Sequence, residues 1–203
     1  MKYILVILMG YLLGCSHMAY YLAKLQNVDL RAGGSGNLGG SNVTMLMGWK
    51  AGILTTIHDV AKAMIAVWLA RALFPQVPHA EAVAGVAAVL GHIFPFYLKF
   101  KGGKGFASYV GMILMMNWKF AVAIIILVVL VTVIMDYIVL GTTLTVVSSP
   151  IYFGLTSGSW LLAAILCIAT AVIIYKHRMN YVRIWNGTEF GLRSTARGEH
   201  RVK

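Results

Sequence analysis

The chain has 203 residues, 60% of them apolar and 11% charged, with a mean hydropathy of +0.80. Soluble domains run near half apolar and a quarter charged, so a soluble enzyme, a disordered protein and a disulfide scaffold are excluded, and one polytopic membrane domain over 1–203 is expected. The net charge is +11, from 17 Lys and Arg against six Asp and Glu. In a membrane chain that excess first means cytoplasmic anchoring and then anionic substrates. Because the basic residues sit at span ends, no nucleic-acid partner is expected.

Apolar runs occupy 3–23, 51–74, 80–98, 106–118, 119–136, 138–155 and 159–175. A crossing needs ~20 residues, so the chain reads as all-α with about seven transmembrane helices, the fourth short for a full span. Lys2 followed by Leu12-Leu13-Gly14-Cys15 resembles a lipoprotein signal, but the run continues to Ala23 without a polar start to a mature protein. A retained first helix is expected. Pro75 and Pro78 bracket the connection after the second run, and residues 156–159 form a polar turn. Cys15 and Cys167 both lie in apolar runs, so no disulfide, metal or redox role is assigned to them.

With the N-terminus outside and seven spans, thirteen of the Lys and Arg residues fall inside, including Lys24, Arg31, Lys50, Lys99, Lys101 and Lys104. Only Lys2, Arg71 and Lys119 fall outside, and Lys62 lies within a span. The positive-inside rule therefore puts the C-terminus and its basic tail, 193–203, in the cytoplasm. Three polar segments then share the cytoplasmic face.

The first segment is Gly33-Gly-Ser-Gly-Asn-Leu-Gly-Gly-Ser-Asn-Val43. It contains Gly34-x-Gly36-x-x-Gly39, with Asp59 20 residues further on, but an apolar helix precedes it instead of a strand, so it is not a dinucleotide fingerprint. Glycines allow close backbone approach, and successive N–H groups then make a concave anion site, with Ser35, Asn37, Ser41 and Asn42 as added donors. The second segment, Lys99-Phe-Lys-Gly-Gly-Lys-Gly-Phe106, lacks the spacing of a nucleotide P-loop. Gly102, Gly103 and Gly105 frame Lys104 at a predicted helix N-terminus, where N–H groups and the dipole favour anions. Lys99 and Lys101 read as headgroup contacts.

The third segment is Lys176-His-Arg-Met-Asn-Tyr-Val-Arg183, followed by Gly187-Thr-Glu189. His177 and Asn180 are three apart and share a face if the last helix runs on. Within the second run, His58, Asp59 and Lys62 lie at a depth where ionisable groups are costly and usually functional. Asp59 and Lys62 can form an i, i+3 ion pair. His17 and His92 are expected to make core hydrogen bonds. None of the six histidines has an Asp five residues on, the acids are scattered, and no Ser-His-Asp order stands out.

Together these segments resemble the bacterial acyl-phosphate:glycerol-3-phosphate acyltransferases. That family carries G-S-G-N-x-G-A-T-N-V, here Gly34-Ser-Gly-Asn-Leu-Gly-Gly-Ser-Asn-Val43. It carries G-H-x-x-P and F-K-G-G-K-G, here Gly91-His-Ile-Phe-Pro95 and Phe100-Lys-Gly-Gly-Lys-Gly105. It carries K-H-R-x-N with G-x-E, here Lys176-His-Arg-Met-Asn180 and Gly187-Thr-Glu189, and a D-x-x-K matched by Asp59 and Lys62. The departures are Gly40 for Ala, Ser41 for Thr, Ala63 for Gly, and Met45 where an Arg is usual. Lys50 or Arg31 is expected to replace that Arg, or the affinity for one phosphate substrate is weaker.

The resemblance implies transfer of a long-chain acyl group from acyl phosphate to the sn-1 hydroxyl of glycerol 3-phosphate. The products are lysophosphatidic acid and phosphate, the first step of phospholipid synthesis at the bacterial cytoplasmic membrane. Two phosphate groups meet two basic glycine-rich loops, the acyl chain lies among the apolar helices, and membrane lipid is the remaining partner. The expected catalytic residues are Ser35, Lys104, His177 and Asn180. Substrate binding falls to Gly36, Asn37, Gly39, Ser41, Asn42, Gly102, Gly103 and Gly105, with Asp59, Lys62 and Glu189 structural. No cofactor or metal is expected, and the chain is read as a monomer. His177 is the base candidate, but a phosphate oxygen of the donor can take the hydroxyl proton instead, and that substrate-assisted route is preferred. Two alternatives stay open. One is a small anion or lipid transporter, which the intramembrane His58, Asp59 and Lys62 favour and the lack of an inverted repeat opposes. The other is a catalytically weak paralogue, motivated by Met45.

Overall fold

The computed structural model describes residues 1–191 and 193, whose regular structure is helical, with no strand among them. The helices are α1 (Lys2–Cys15), α2 (Met18–Gln26), α3 (Gly40–Met47), α4 (Trp49–Leu73), α5 (Ala80–Ile93), α6 (Phe106–Met116), α7 (Trp118–Met135), α8 (Ile138–Ser157) and α9 (Trp160–Trp185), with a 3₁₀ turn at Phe96–Leu98. Of the expected basic tail, Arg197, Arg201 and Lys203 lie outside the described residues. Among the described residues, six segments are long and apolar enough to cross a membrane: Lys2–Gln26, Trp49–Leu73, Ala80–Leu98, Trp118–Met135, Ile138–Ser157 and Trp160–Trp185. The remaining expected span is α6, with 11 residues. At 1.5 Å per residue it is about 16 Å long, roughly half the hydrocarbon thickness.

The first apolar run is not one helix. It breaks at Ser16 and His17, where Ser16 turns extended at φ −63°, ψ 132°. A break inside a span strands backbone carbonyls that lipid cannot satisfy. Here side chains from elsewhere satisfy them: Lys62 Nζ donates to Ser16 O at 2.6 Å, and Tyr97 OH donates to Cys15 O at 2.8 Å.

The chain forms two compact units. In Met1–Asn117, α1 packs on α5 through small residues. Gly10 and Gly14 lie so close to Ala84 and Ala88 that a Cβ at either glycine would overlap the facing carbonyl. Without a hydrophobic drive between helices in lipid, such close backbone contact supplies the packing attraction. At one end of this unit Arg71 makes a two-pronged bond to Glu81 (3.0 and 2.6 Å) and donates to Met115 O. This pins the ends of α4, α5 and α6 together.

The second unit begins at Trp118. Within it, Phe120 stacks on Tyr152 at 3.9 Å, Thr170 donates to Val146 O, and Thr143 and Tyr181 share a hydroxyl hydrogen bond. After α7 the chain turns at Asp136, whose carboxylate accepts from Arg193 N. The Arg193 side chain donates to Val133 O. Helix α9 starts where Ser159 Oγ accepts from Leu162 N and runs well past 175, so His177 and Asn180 are helical.

Candidate active site

The first polar segment is folded around one side chain, Asn42, which is fully buried in α3. Its Oδ1 accepts from Ser35 N at 2.7 Å and from Ser35 Oγ at 3.2 Å. Its Nδ2 donates to Leu30 O and to Asn37 O, each at 2.8 Å. An amide side chain has two donors and two acceptor sites, and all four are used inside the loop. Expected as a substrate ligand, Asn42 instead sets the loop's shape. Asn37 adds two further bonds, Nδ2 donating to Ser35 Oγ and Oδ1 accepting from Gly39 N. Gly34 has φ +57°, and a Cβ there would overlap Asn42 Oδ1, so glycine is required. Gly36 also has positive φ, Gly39 caps α3, and Ser41 is exposed in its first turn.

The second segment lies over the end of α5. Gly102 N donates to Ile93 O and Gly103 N to His92 O. Gly103 packs directly on the His92 ring, leaving no room for a Cβ. Lys104 follows, half-buried, ahead of Gly105, the N-cap of α6 at φ +93°. Arg31 joins the two segments: one guanidinium nitrogen donates to Lys101 O at 2.9 Å and to Leu98 O at 3.4 Å. Beside Arg31 is a cavity of about 440 Å³ with Tyr20, Lys24, Asn27, Leu38 and Leu98 among its walls. One nitrogen of Arg31 is thus held by backbone carbonyls. Lys50, the other expected substitute for a cation at Met45, sits 5.9 Å from the Trp49 ring.

Beneath the second loop is a buried polar cluster. Lys62 Nζ lies 2.8 Å from Asp59 Oδ1, an ion pair without hydrogen-bond alignment, and 2.9 Å from His92 Nδ1. His17, Asp59 and His92 bring three metal-ligating groups within 4.8 Å of one another. The cation among them is the ammonium of Lys62, which bonds to Ser16 O and His92 and pairs by charge with Asp59. Contrary to the expectation of a core hydrogen bond, both ring nitrogens of His17 are buried without a hydrogen-bond partner. Its contact is ring to ring with His92, 4.8 Å between centroids. The structure also brings Ser16, which sequence order did not connect, to the His58-Asp59 pair: Ser16 Oγ is 3.0 Å from His58 Nε2. No spacing in the chain signals that contact, because Ser16 is 42 residues from His58.

In the second unit, His177 and Asn180 are both buried on one face of α9. His177 Nδ1–H donates to Ile173 O at 2.8 Å. This leaves Nε2 as the acceptor of the neutral ring. Asn180 Nδ2 donates to Glu189 Oε1, and Arg183 Nε pairs with Glu189 Oε2. Glu189 therefore fixes both an amide and a guanidinium at the end of α9.

Together these features define a helical membrane protein with two anion-suited glycine loops and an unusually polar helix interior. The chain belongs to the glycerol-3-phosphate acyltransferase family, whose model matches residues 4–187. A glycerol-3-phosphate acyltransferase of Coxiella burnetii is 38% identical over 190 residues, covering 93% of this chain and 97% of the relative. Two crystal structures of PlsY, described as an integral membrane glycerol 3-phosphate acyltransferase, superpose closely. The glycerol 3-phosphate form has a TM-score of 0.89 at 29% identity, covering 97% of this chain and 98% of the other. The lysophosphatidic acid form has a TM-score of 0.84 at 29% identity, covering 94% and 95%.

Proposed function

We propose that this chain transfers a fatty acyl group from acyl phosphate to the sn-1 hydroxyl of glycerol 3-phosphate, giving lysophosphatidic acid and phosphate. The observation that carries the reading is the likeness, over nearly the whole chain, to a protein solved in forms with that acceptor and that product. The chain works as one domain over 1–203, a monomer with about seven membrane helices counting the short α6. Its N-terminus is outside, and its C-terminus and active site face the cytoplasm of a bacterial inner membrane. The positive-inside distribution supports that orientation.

The sn-1 oxygen attacks the carbonyl carbon of the acyl phosphate, and the bond from that carbon to the phosphate oxygen breaks. A phosphate oxygen of the donor takes the hydroxyl proton, and phosphate leaves. The mixed anhydride is already activated, so positioning and charge neutralisation supply most of the rate. Lys104 neutralises phosphate charge at the start of α6. Ser35, held by Asn42 and Asn37, turns its hydroxyl proton from Asn42 Oδ1 to phosphate when substrate binds. His177, its ring fixed through Ile173 O, serves as a phosphate ligand, donating through Nε2 when the ring is protonated. Asn180 is oriented by Glu189. The glycines Gly36, Gly39, Gly102, Gly103 and Gly105, with Asn37 and Ser41, let phosphate approach the backbone. Asp59 and Lys62 brace the broken first helix.

A vesicle assay with acyl phosphate and labelled glycerol 3-phosphate tests the reading. Labelled lysophosphatidic acid supports it. Uptake without covalent product means a transporter, and binding alone means a catalytically weak paralogue.

A further inference from the structure

Ser16 sits at the break between α1 and α2, facing α4 in the first unit. Its Oγ lies 3.0 Å from His58 Nε2, and His58 Nδ1 lies 3.7 Å from Asp59 Oδ1. His58 Nδ1 is buried without a hydrogen-bond partner, and an anionic carboxylate is the group it faces. That charge favours the tautomer with its proton on Nδ1. Nε2 is then the acceptor for the Ser16 hydroxyl, as a general base requires. Asp59 also carries Lys62 at 2.8 Å and His92 at 3.3 Å, so it orients His58 by charge without being its exclusive partner.

Two cation or donor groups lie near the hydroxyl. Lys62 Nζ is bound to the carbonyl of Ser16 itself, and Tyr21 OH is 3.4 Å from Ser16 Oγ. Tyr21 is the donor for negative charge developing on an attacked carbonyl oxygen, and Lys62, held within the polar cluster, contributes its charge alone. The site is reachable. His58 is 22% exposed, and one helical turn before Ser16 and His58 the apolar Leu12 and Leu54 are exposed on the helix surfaces. An acyl chain in the bilayer lies along such a surface.

We propose that Ser16, His58 and Asp59 form a second acyl-reactive centre, with Ser16 Oγ as nucleophile toward activated long-chain acyl groups. With an acyl phosphate, Ser16 Oγ bonds to the carbonyl carbon, His58 Nε2 takes the hydroxyl proton, and the carbon–oxygen bond to phosphate breaks. The proton leaves His58 with the departing phosphate. Water then attacks the acyl-serine, giving one proton to His58, which returns it to Ser16 Oγ as the fatty acid is released. The net reaction is acyl phosphate plus water to fatty acid plus phosphate. Ser16 is the nucleophile, His58 the base and Asp59 a positioning residue. None of the loop residues assigned to acyl transfer takes part.

The full-length protein in detergent micelles is incubated with a long-chain alkyl fluorophosphonate and followed by intact mass and peptide mapping. The expected result is one adduct, on Ser16, formed at least about a hundredfold more slowly in His58→Ala and not at all in Ser16→Ala. Ser16→Ala also loses acyl phosphate hydrolysis measured without glycerol 3-phosphate, while keeping acyl transfer when the acceptor is added. Unfolding midpoints matching the wild type show that both variants are folded. No adduct on folded wild-type protein, an adduct elsewhere, or equal labelling in His58→Ala overturns the proposal. The adduct needs no acceptor, so its failure is distinguishable from failure of the acyltransferase reading.

Discussion

Arg31 and Lys101, 70 residues apart, are joined by a 2.9 Å hydrogen bond from guanidinium to carbonyl. Because the same nitrogen also reaches Leu98 O, this one side chain fixes the approach of the second glycine loop to the first. Hydrogen bonds from a charged donor contribute about 1.5–3 kcal/mol, less where water competes. Arg31→Met is expected to raise KM for the phosphate substrates about five- to thirtyfold, with kcat changed less. Steady-state kinetics with each substrate varied in turn check this, and an unchanged KM would show that the loops hold each other without Arg31.

The first loop depends on Gly34 leaving room for the Asn42 amide. Gly34→Ala places a Cβ against Asn42 Oδ1 at a positive φ, where a side chain alone costs about 1–2 kcal/mol. Asn42→Ala leaves Ser35, Leu30 and Asn37 without their partner. Both variants are expected to keep their helical content by circular dichroism and to lose at least about tenfold in kcat/KM. Wild-type kinetics in Asn42→Ala would show that the loop keeps its shape without the amide.

Glu189 accepts from both Asn180 and Arg183. Glu189→Ala removes one acceptor of a largely buried amide and the carboxylate partner of a guanidinium, a loss of about 1–3 kcal/mol. Folded yield in detergent is expected to fall and kcat with it. Glu189→Gln keeps an acceptor for Asn180 but loses the charge, so its yield should lie between wild type and Glu189→Ala. Size-exclusion recovery of the three proteins gives the order.

Met45 lies beside Gly34 on α3 and supplies neither charge nor donor. One nitrogen of Arg31 is bound to carbonyls and Lys50 lies by Trp49, so position 45 itself carries no cation. Met45→Arg is therefore expected to lower KM for one phosphate substrate. The upper bound is about tenfold to hundredfold, the worth of a charge-assisted bond. A KM that stays constant for both substrates would mean that the cation is dispensable in this chain.

Much of the fold is legible because membrane helices are long apolar runs, and the loops because their glycines, serines and lysines are contiguous. The break at Ser16 is not legible. Two polar residues in an apolar run normally continue a helix, and what allows the break is Lys62 and Tyr97 arriving from distant positions to cap the freed carbonyls. Asn42 reads as a ligand because its side chain carries donors, and only the three-dimensional loop reveals that all of them face inward. The same holds for His17, whose lone position suggested a core hydrogen bond and whose nitrogens find none. The ion pair of Asp59 and Lys62 is legible because it is local in a helix, whereas the contact of Ser16 with His58 is purely tertiary.

The central claim is that this chain makes lysophosphatidic acid from an acyl phosphate. The most direct measurement incubates purified protein with acyl phosphate and labelled glycerol 3-phosphate in EDTA, following labelled lipid and inorganic phosphate together. The account predicts 1-acyl-glycerol 3-phosphate and phosphate in equal amounts above the phosphate released without acceptor, and no product when acyl-CoA replaces the acyl phosphate. Absence of labelled lipid from folded wild-type protein and from Met45→Arg alike would contradict it, as would equal turnover with acyl-CoA.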